Sequence, residues 1–213
     1  MRPILAAIVA ICLVFFLFGT ATDLISGNKV YYHRQMIENK IPEETGKSLH
    51  ELDKISDGLR DYLKRGDNRV LKPYFNQNEL AHMADVYALF HLMRKLSVAA
   101  AVIALAGFCG LAKGFGVREG LRSVGRATLV LIATFLVLTA MVAVNFTKAW
   151  YTFHTLFFSN RLWQMDPATD LMIQMLPEPF FFGMVKRIGL IVAAGLIVMG
   201  SFALLKGSKH EIK

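Results

Sequence analysis

The sequence predicts an all-α polytopic membrane protein with four transmembrane helices, and three observations carry that prediction. The chain of 213 residues is 54% hydrophobic and only 19% charged. Its apolar residues are gathered in four blocks, at 3–19, 96–112, 127–144 and 188–205. Each is long enough, or nearly so, to cross a hydrocarbon layer of roughly 30 Å as a helix. The connections differ in kind: two are long and charge-balanced, and the others are short and basic. Such clumping excludes an ordinary soluble domain, a disordered chain and a small disulfide scaffold.

The first block, 3–19, follows Arg2 and ends in Gly19-Thr20-Ala21, a layout shaped like a signal peptide as much as a spanning helix. A retained helix is expected, because four spans give an even count that the charge pattern supports independently. Removal of residues 1–21 would leave three spans without moving any loop across the membrane. Cys12 and Cys109 fall inside apolar blocks and read as small buried hydrophobes.

Charge sets the expected orientation. The short segments 1–2, 113–126 and 206–213 hold Arg2, Lys113, Arg118, Arg122, Arg126, Lys206, Lys209 and Lys213, opposed only by Glu119 and Glu211. Lys and Arg in short loops favour retention in the cytoplasm. Both termini, a basic loop at 113–126 and a tail at 206–213 are therefore expected to be cytoplasmic. An extracytoplasmic domain at 20–95 and an interfacial segment at 148–187 are expected on the other side. The net charge of +8 is then explained by topology and by anionic membrane phospholipid, with no nucleic-acid partner.

Residues 22–47 carry no clear period. From Ser48 the pattern sharpens: Ser48 with Glu51 makes a capping box, and Leu49, Leu52, Ile55, Leu59, Tyr62 and Leu63 recur on one face. That helix should end near Gly66, and Val70-Leu71 before Pro73 reads as a short extended piece. Asn76 with Glu79 opens a second helix bearing Leu80, Met83, Ala84, Tyr87 and Phe90, with no stop before the second span. If straight, it lifts His82 about 21 Å along the axis above residue 96; if it tilts or bends, His82 returns to the membrane surface. The 148–187 segment is aromatic (Trp150, Tyr151, Phe153, Phe157, Phe158, Trp163 and Phe180 to Phe182), as suits the headgroup level. Asp166-Pro167 reads as a helix start, and Leu171, Met172, Met175 and Leu176 as the apolar stripe of a short interfacial helix ending at Pro177. No helix face is glycine-patterned as a dimer contact; Gly110, Gly114 and Gly116 read as turn residues at a span end.

Six histidines are available for chemistry. His210 lies in the polar tail, and His33 and His50 sit in polar surroundings. His91 suits a polar side chain tucked into a bundle. His82 and His154 lie in different long segments that the topology places on one side of the membrane. Asp85, three positions after His82, shares its helix face and could orient the imidazole or serve as an ordinary surface carboxylate. A metal site built from His82, Asp85 and His154 is conceivable, but there is no HExxH and no cysteine set, so neither metal nor cofactor is expected. A nucleophile elbow, a Walker loop and a dinucleotide fingerprint are also missing. Two interfacial histidines could instead act as base and acid on lipid-borne groups without an enzyme-bound intermediate.

The motifs Glu79-Leu80-Ala81-His82-Met83-Ala84-Asp85-Val86, Phe153-His154-Thr155-Leu156-Phe157-Phe158-Ser159-Asn160 and Asp166-Pro167-Ala168-Thr169-Asp170 resemble those of bacterial lipoprotein intramolecular transacylases. The resemblance covers nearly the whole chain in length and layout. It implies a substrate, a diacylated lipoprotein at the outer face of the bacterial cytoplasmic membrane. It implies a reaction, transfer of the sn-2 acyl chain of the diacylglyceryl group to the α-amine of the N-terminal cysteine, giving the lyso form. It also implies that His82 and His154 are the essential histidines. Tyr151, Asn160, Arg161 and backbone N–H groups are candidate oxyanion donors, while Asp170 and Glu178 are candidates to orient a histidine or bind the substrate's ammonium form. Two other readings compete. A metal-assisted membrane hydrolase predicts loss of activity with chelator, and a non-enzymatic membrane sensor or assembly protein predicts indifference to loss of either histidine.

Overall fold

A computed structural model describes residues 1–206 of the chain. Lys209, His210, Glu211 and Lys213, which enter the sequence reading of the tail, lie outside the described residues. The described chain is all-α, and four helices are long and apolar enough to cross a membrane. It divides into two units, one of residues 1–22, 93–144 and 188 onward, the other of 23–92 and 145–187.

The first unit is built from the apolar parts of α1 (Arg2–Ser26), α5 (Gln77–Phe115), α6 (Val117–Val144) and α9 (Glu178–Ser201). Helix is the form that satisfies every backbone N–H and C=O within one segment, which hydrocarbon requires. Ala6, Val9 and Ala10 of α1 pack on Leu111 of α5 and Val124 of α6, so small side chains set the close approach. The first block is thus part of this unit's core. Large apolar side chains elsewhere point outward; Val130, Leu136, Leu190 and Ile197 are each more than half exposed. A surface of that kind is stable only against lipid. Where α1 and α6 begin, Arg2 holds Glu119 at 2.5 Å and Ser123 at 2.7 Å, and Arg122 reaches the same carboxylate at 3.5 Å. Gly116, at φ +81°, makes the one-residue break between α5 and α6, whereas Gly110 and Gly114 are helical.

In the second unit, α2 (Lys29–Glu38) packs on α4 (Leu49–Arg65), and α3 (Ile41–Thr45) lies beside α8 (Leu171–Met175). The stretch without a clear period, 22–47, thus holds the end of α1 and two further helices. The capping box forms: Glu51 N–H donates to Ser48 Oγ, and Ser48 N–H to the Glu51 carboxylate. Leu52, Ile55, Leu59, Tyr62 and Leu63 are buried along one face. His33 meets Asp53 at 2.9 Å and Lys29 meets Asp57 at 3.1 Å, joining α2 to α4 along their more exposed edge.

Three local expectations are corrected. Residues 68–70 form a 3-10 turn, not an extended piece, because the Asp67 carboxylate accepts from Arg69 N–H and Leu71 N–H closes onto Asn68. Asp166 does not start a helix. Its side chain accepts from Ala168 N–H and its carbonyl from Asp170 N–H, which closes a tight turn and delays the helix to Leu171. His91 is exposed, not tucked into a bundle, and stacks on Tyr87 at 5.8 Å.

Gly66 closes α4 at φ +75°, and a Cβ there would stand 2.7 Å from the Tyr87 ring. Gly66→Ala therefore meets both the left-handed penalty of about 1–2 kcal/mol and a ring that must shift. Thermal unfolding in detergent should show a lowered Tm; an unchanged one would mean the turn relaxes freely.

Candidate active site

Asn76 starts α5: its side chain accepts from Asn78 and Glu79 N–H, and Glu79 reaches back to Asn76 N–H at 2.6 Å. The helix then runs for 39 residues without interruption. Glu79, His82 and Asp85 follow at three-residue steps and so share one face. Glu79 is only 2% exposed, and its second oxygen accepts from Met172 N–H at 2.7 Å. Burial pushes its pKa up, against the pull of the two amides.

His154 comes from α7 (Phe146–Phe157), capped by Asn145, whose side chain accepts from Lys148 N–H. Its Nδ1 lies 2.8 Å from the Trp150 carbonyl one turn earlier. A carbonyl can only accept, so Nδ1 carries the proton and the neutral ring keeps its lone pair on Nε2. The His82 ring stands 6.2 Å from that of His154, at 29°. Phe158 lies 5.2 Å from His82 and 5.6 Å from His154. Trp150 at 4.6 Å and Trp163 at 4.8 Å add to the cover over His154.

This aromatic enclosure has an electrostatic consequence. Both histidines are 8% exposed, and burial disfavours the charged form of each. His82 is pushed down to about 4 by burial, with repulsion from His154 adding and Asp85 opposing. His154 is lowered by burial, with its bond to Trp150 opposing. Both rings are therefore neutral at pH 7. His82 Nδ1 is buried with no hydrogen-bond partner, a polar atom left for something that is not this chain.

The structure brings some of the other sequence candidates close and sends others to different partners. The Asp85 carboxylate accepts from Asn160 Nδ2 at 2.8 Å. Tyr151 is mostly exposed, its ring edge-on to Trp163 at 5.2 Å. Arg161 is exposed in the turn where its carbonyl accepts from Gln164 N–H. The Asp170 carboxylate takes bonds from Asn76 Nδ2 and Asp166 N–H, both at 2.9 Å. Glu178 accepts from the Thr147 hydroxyl at 2.6 Å. Sequence reasoning saw Glu79 only as a cap and did not connect Trp163 with the histidines. The three-residue step from Glu79 to His82 was the available signal for the first; the second depends on a loop path that no local pattern reveals. Among the described residues, no group of three or more His, Cys, Asp or Glu side chains could hold a metal ion.

A multi-pass helical membrane protein with a dry pair of neutral imidazoles has the equipment of an acid–base enzyme acting on membrane-borne substrate. A family model described as lipoprotein intramolecular transacylase Lit matches residues 7–181, and the chain belongs to that family. It is an enzyme of intramolecular O-to-N acyl transfer on the lipoprotein diacylglyceryl group. An in meso structure of the membrane-integral lipoprotein intramolecular transacylase Lit from Bacillus cereus is similar at 28% identity, over 94% of this chain and 93% of that one, with a TM-score of 0.82. Two variants of that protein, each with one histidine replaced, by arginine and by alanine, are similar at 26% identity and a TM-score of 0.79. Each covers 96% of this chain, with 92% of the arginine variant and 93% of the alanine variant matched. None of the curated proteins matches significantly in sequence.

Glu79→Leu leaves the N–H groups of Asn76 and Met172 without their acceptor, and the buried Met172 donor alone costs about 1–3 kcal/mol. The expected outcome is a lower Tm and faster protease cleavage within 160–172. Unchanged cleavage would show that Glu79 does not hold this segment.

Proposed function

We propose that His82 and His154 perform the transfer directly, with no acyl-enzyme, and that the acyl chain moved is the sn-2 chain of a diacylated lipoprotein. The carrying observation is the bond from His154 Nδ1 to the Trp150 carbonyl, which leaves a neutral Nε2 lone pair inside a dry, aromatic site. His154 is the base. It takes a proton from the α-amine of the N-terminal cysteine as the amine nitrogen bonds to the ester carbonyl carbon. The tetrahedral intermediate collapses with cleavage of the bond to the glyceryl oxygen, and His154 returns the proton to that oxygen. The products are an amide and a free glyceryl hydroxyl, with protons balanced.

His82, held neutral by burial, supplies an N–H to the carbonyl oxygen as negative charge builds there. Amine and ester belong to one molecule, so proximity replaces much of what a covalent intermediate provides. The positive-inside pattern supports cytoplasmic termini and a site on the extracytoplasmic face of the cytoplasmic membrane. The spans at 3–19, 96–112, 127–144 and 188–205 are assigned on their uninterrupted apolar runs.

The test is mass spectrometry of one lipoprotein's N-terminal peptide from a host that otherwise makes only the diacyl form. Wild type should yield the N-acyl, monoacylglyceryl peptide. His82→Ala and His154→Ala, present in the membrane at equal level, should lower its formation at least about a hundredfold. Full formation by either variant would overturn that histidine's role. The rate should rise with pH through the substrate amine's pKa of about 7.7–8, since only the free amine attacks. A further fall, beyond the one from protonation of the amine, should set in only below pH 6.5, because His154 must be neutral and burial lowers its pKa.

The phospholipid partner is assigned to a groove of about 620 Å³ in the first unit, between α1 and α6. Arg2, at the start of α1, and Arg126, in the third turn of α6, line it, with Ala7, Ile11 and Val130 further along the two helices. Cation at one end and apolar wall beyond match one anionic headgroup and its acyl chain. Native mass spectrometry should show phosphatidylglycerol retained over phosphatidylcholine, and Arg126→Gln should abolish the preference. Equal retention of both lipids by wild type would reduce the groove to ordinary lipid contact.

A further inference from the structure

The two carboxylates that flank His82 on α5 both bind the segment 158–172, and neither binds the imidazole. At one end of the segment, the Asp85 carboxylate accepts from Asn160 Nδ2 at 2.8 Å. At the other, Glu79 accepts from Met172 N–H at 2.7 Å while Asp170 accepts from Asn76 Nδ2 at 2.9 Å. The two attachment points on α5 are six residues apart, about 9 Å along the axis, with His82 midway between them. The segment is a strap fastened on either side of the histidine.

Asn160 is engaged three times in this arrangement. Its amide N–H serves Asp85, its side-chain oxygen accepts from Leu162 N–H at 3.1 Å, and its backbone carbonyl accepts from Trp163 Nε1 at 3.1 Å. Trp163 in turn lays its ring on His154, 4.8 Å away and at 31°. A continuous run of contacts therefore leads from Asp85 through Asn160 and Trp163 to His154. His82 Nδ1, on the same helix as Asp85 and only three residues away in sequence, remains without a partner.

From this geometry we infer that Asp85 is a positioning residue for His154, acting across the strap through Asn160 and Trp163, and is not the orienting partner of His82. Its carboxylate fixes Asn160, which fixes the indole edge, so that the indole face excludes water from the imidazole. The inference rests on the reading of His154 as the base, and the test keeps the two separable.

The experiment uses the full-length protein in proteoliposomes with a synthetic diacylated lipopeptide, comparing wild type, Asp85→Ala, Asn160→Ala, the double variant, Asp85→Asn and His154→Ala. Asp85→Ala and Asn160→Ala should each lower turnover about tenfold, the scale of one hydrogen bond to a charged group. The double variant should lose no more than either single one, since both break one connection. Asp85→Asn keeps an acceptor of the same shape and should retain most of the turnover, which guards against a simple folding defect.

Histidine-labelled protein supplies a readout independent of turnover. NMR titration should place the His154 pKa higher in both alanine variants than in wild type, as water regains the ring. His82 is the titratable ring packed against it among the described residues, and none of the strap variants removes it. Loss of turnover in Asp85→Ala with wild-type turnover and titration in Asn160→Ala would overturn the inference and return Asp85 to His82. Wild-type behaviour of Asp85→Ala would overturn it outright. Activity surviving in His154→Ala would instead remove the base assignment, with the titration of the strap variants still deciding the connection.

Discussion

The second unit depends on the carboxylate of Glu79. One of its oxygens closes the first turn of α5 on Asn76, and the other takes the amide of Met172, ninety-three residues away in sequence. A buried carboxylate is costly unless its lone pairs are used, and here both oxygens meet backbone amides, of which that of Met172 would itself be a buried donor. The same group therefore starts the helix that carries His82 and anchors the segment that covers His154. Membrane physics fixes the rest of α5, because its crossing stretch must stay helical to satisfy its own backbone. With no break between Gln77 and Phe115, the angular relation of Glu79, His82 and Asp85 is that of a rigid rod.

On that frame the aromatic side chains do electrostatic work. Imidazole in water is poised near pH 6.5 and would be partly charged at neutral pH. Enclosure by Phe158, Trp150 and Trp163 removes the hydration that the imidazolium needs, and at His82 the nearness of a second imidazole disfavours it further. In the proposed reaction the base must be neutral before it takes a proton from the amine, and apolar walls favour that form without added charge. Dryness also serves the chemistry, because water would compete with the amine for the ester.

Much of this was legible in the sequence. The four apolar blocks and the basic short segments announced a four-span helical protein, and the Ser48 box announced α4, because these signals are local and periodic. His82 and His154 were singled out from their motifs. The functions of Asp85 and Asp170 were not legible. A carboxylate three residues from a histidine is equally placed to orient it or to turn to another segment, and only the path of 158–172 decides. The Asp166-Pro167 pair misled for a related reason: the same side chain that caps a helix also closes a tight turn on Ala168. Glu79 was hidden behind its own capping pattern, which accounts for one of its oxygens and leaves the other unexplained.

The division of labour follows from magnitudes. Positioned acid–base groups contribute typically 10²–10⁴-fold, whereas well-oriented intramolecular reactants reach effective molarities of about 10⁵–10⁸ M. In the proposed reaction the substrate itself brings nucleophile and ester together, so the larger factor requires only that the lipid be held in a reactive conformation. The protein is left with the smaller one, a neutral base and an N–H for the oxyanion, and two histidines suffice. A serine or cysteine nucleophile would add a second acyl transfer without adding proximity. A base exposed to water would forfeit part of its advantage to hydrolysis. The constraints that remain are burial of the imidazoles and rigid placement of their cover, which is what the Glu79 and Asp85 contacts on α5 secure.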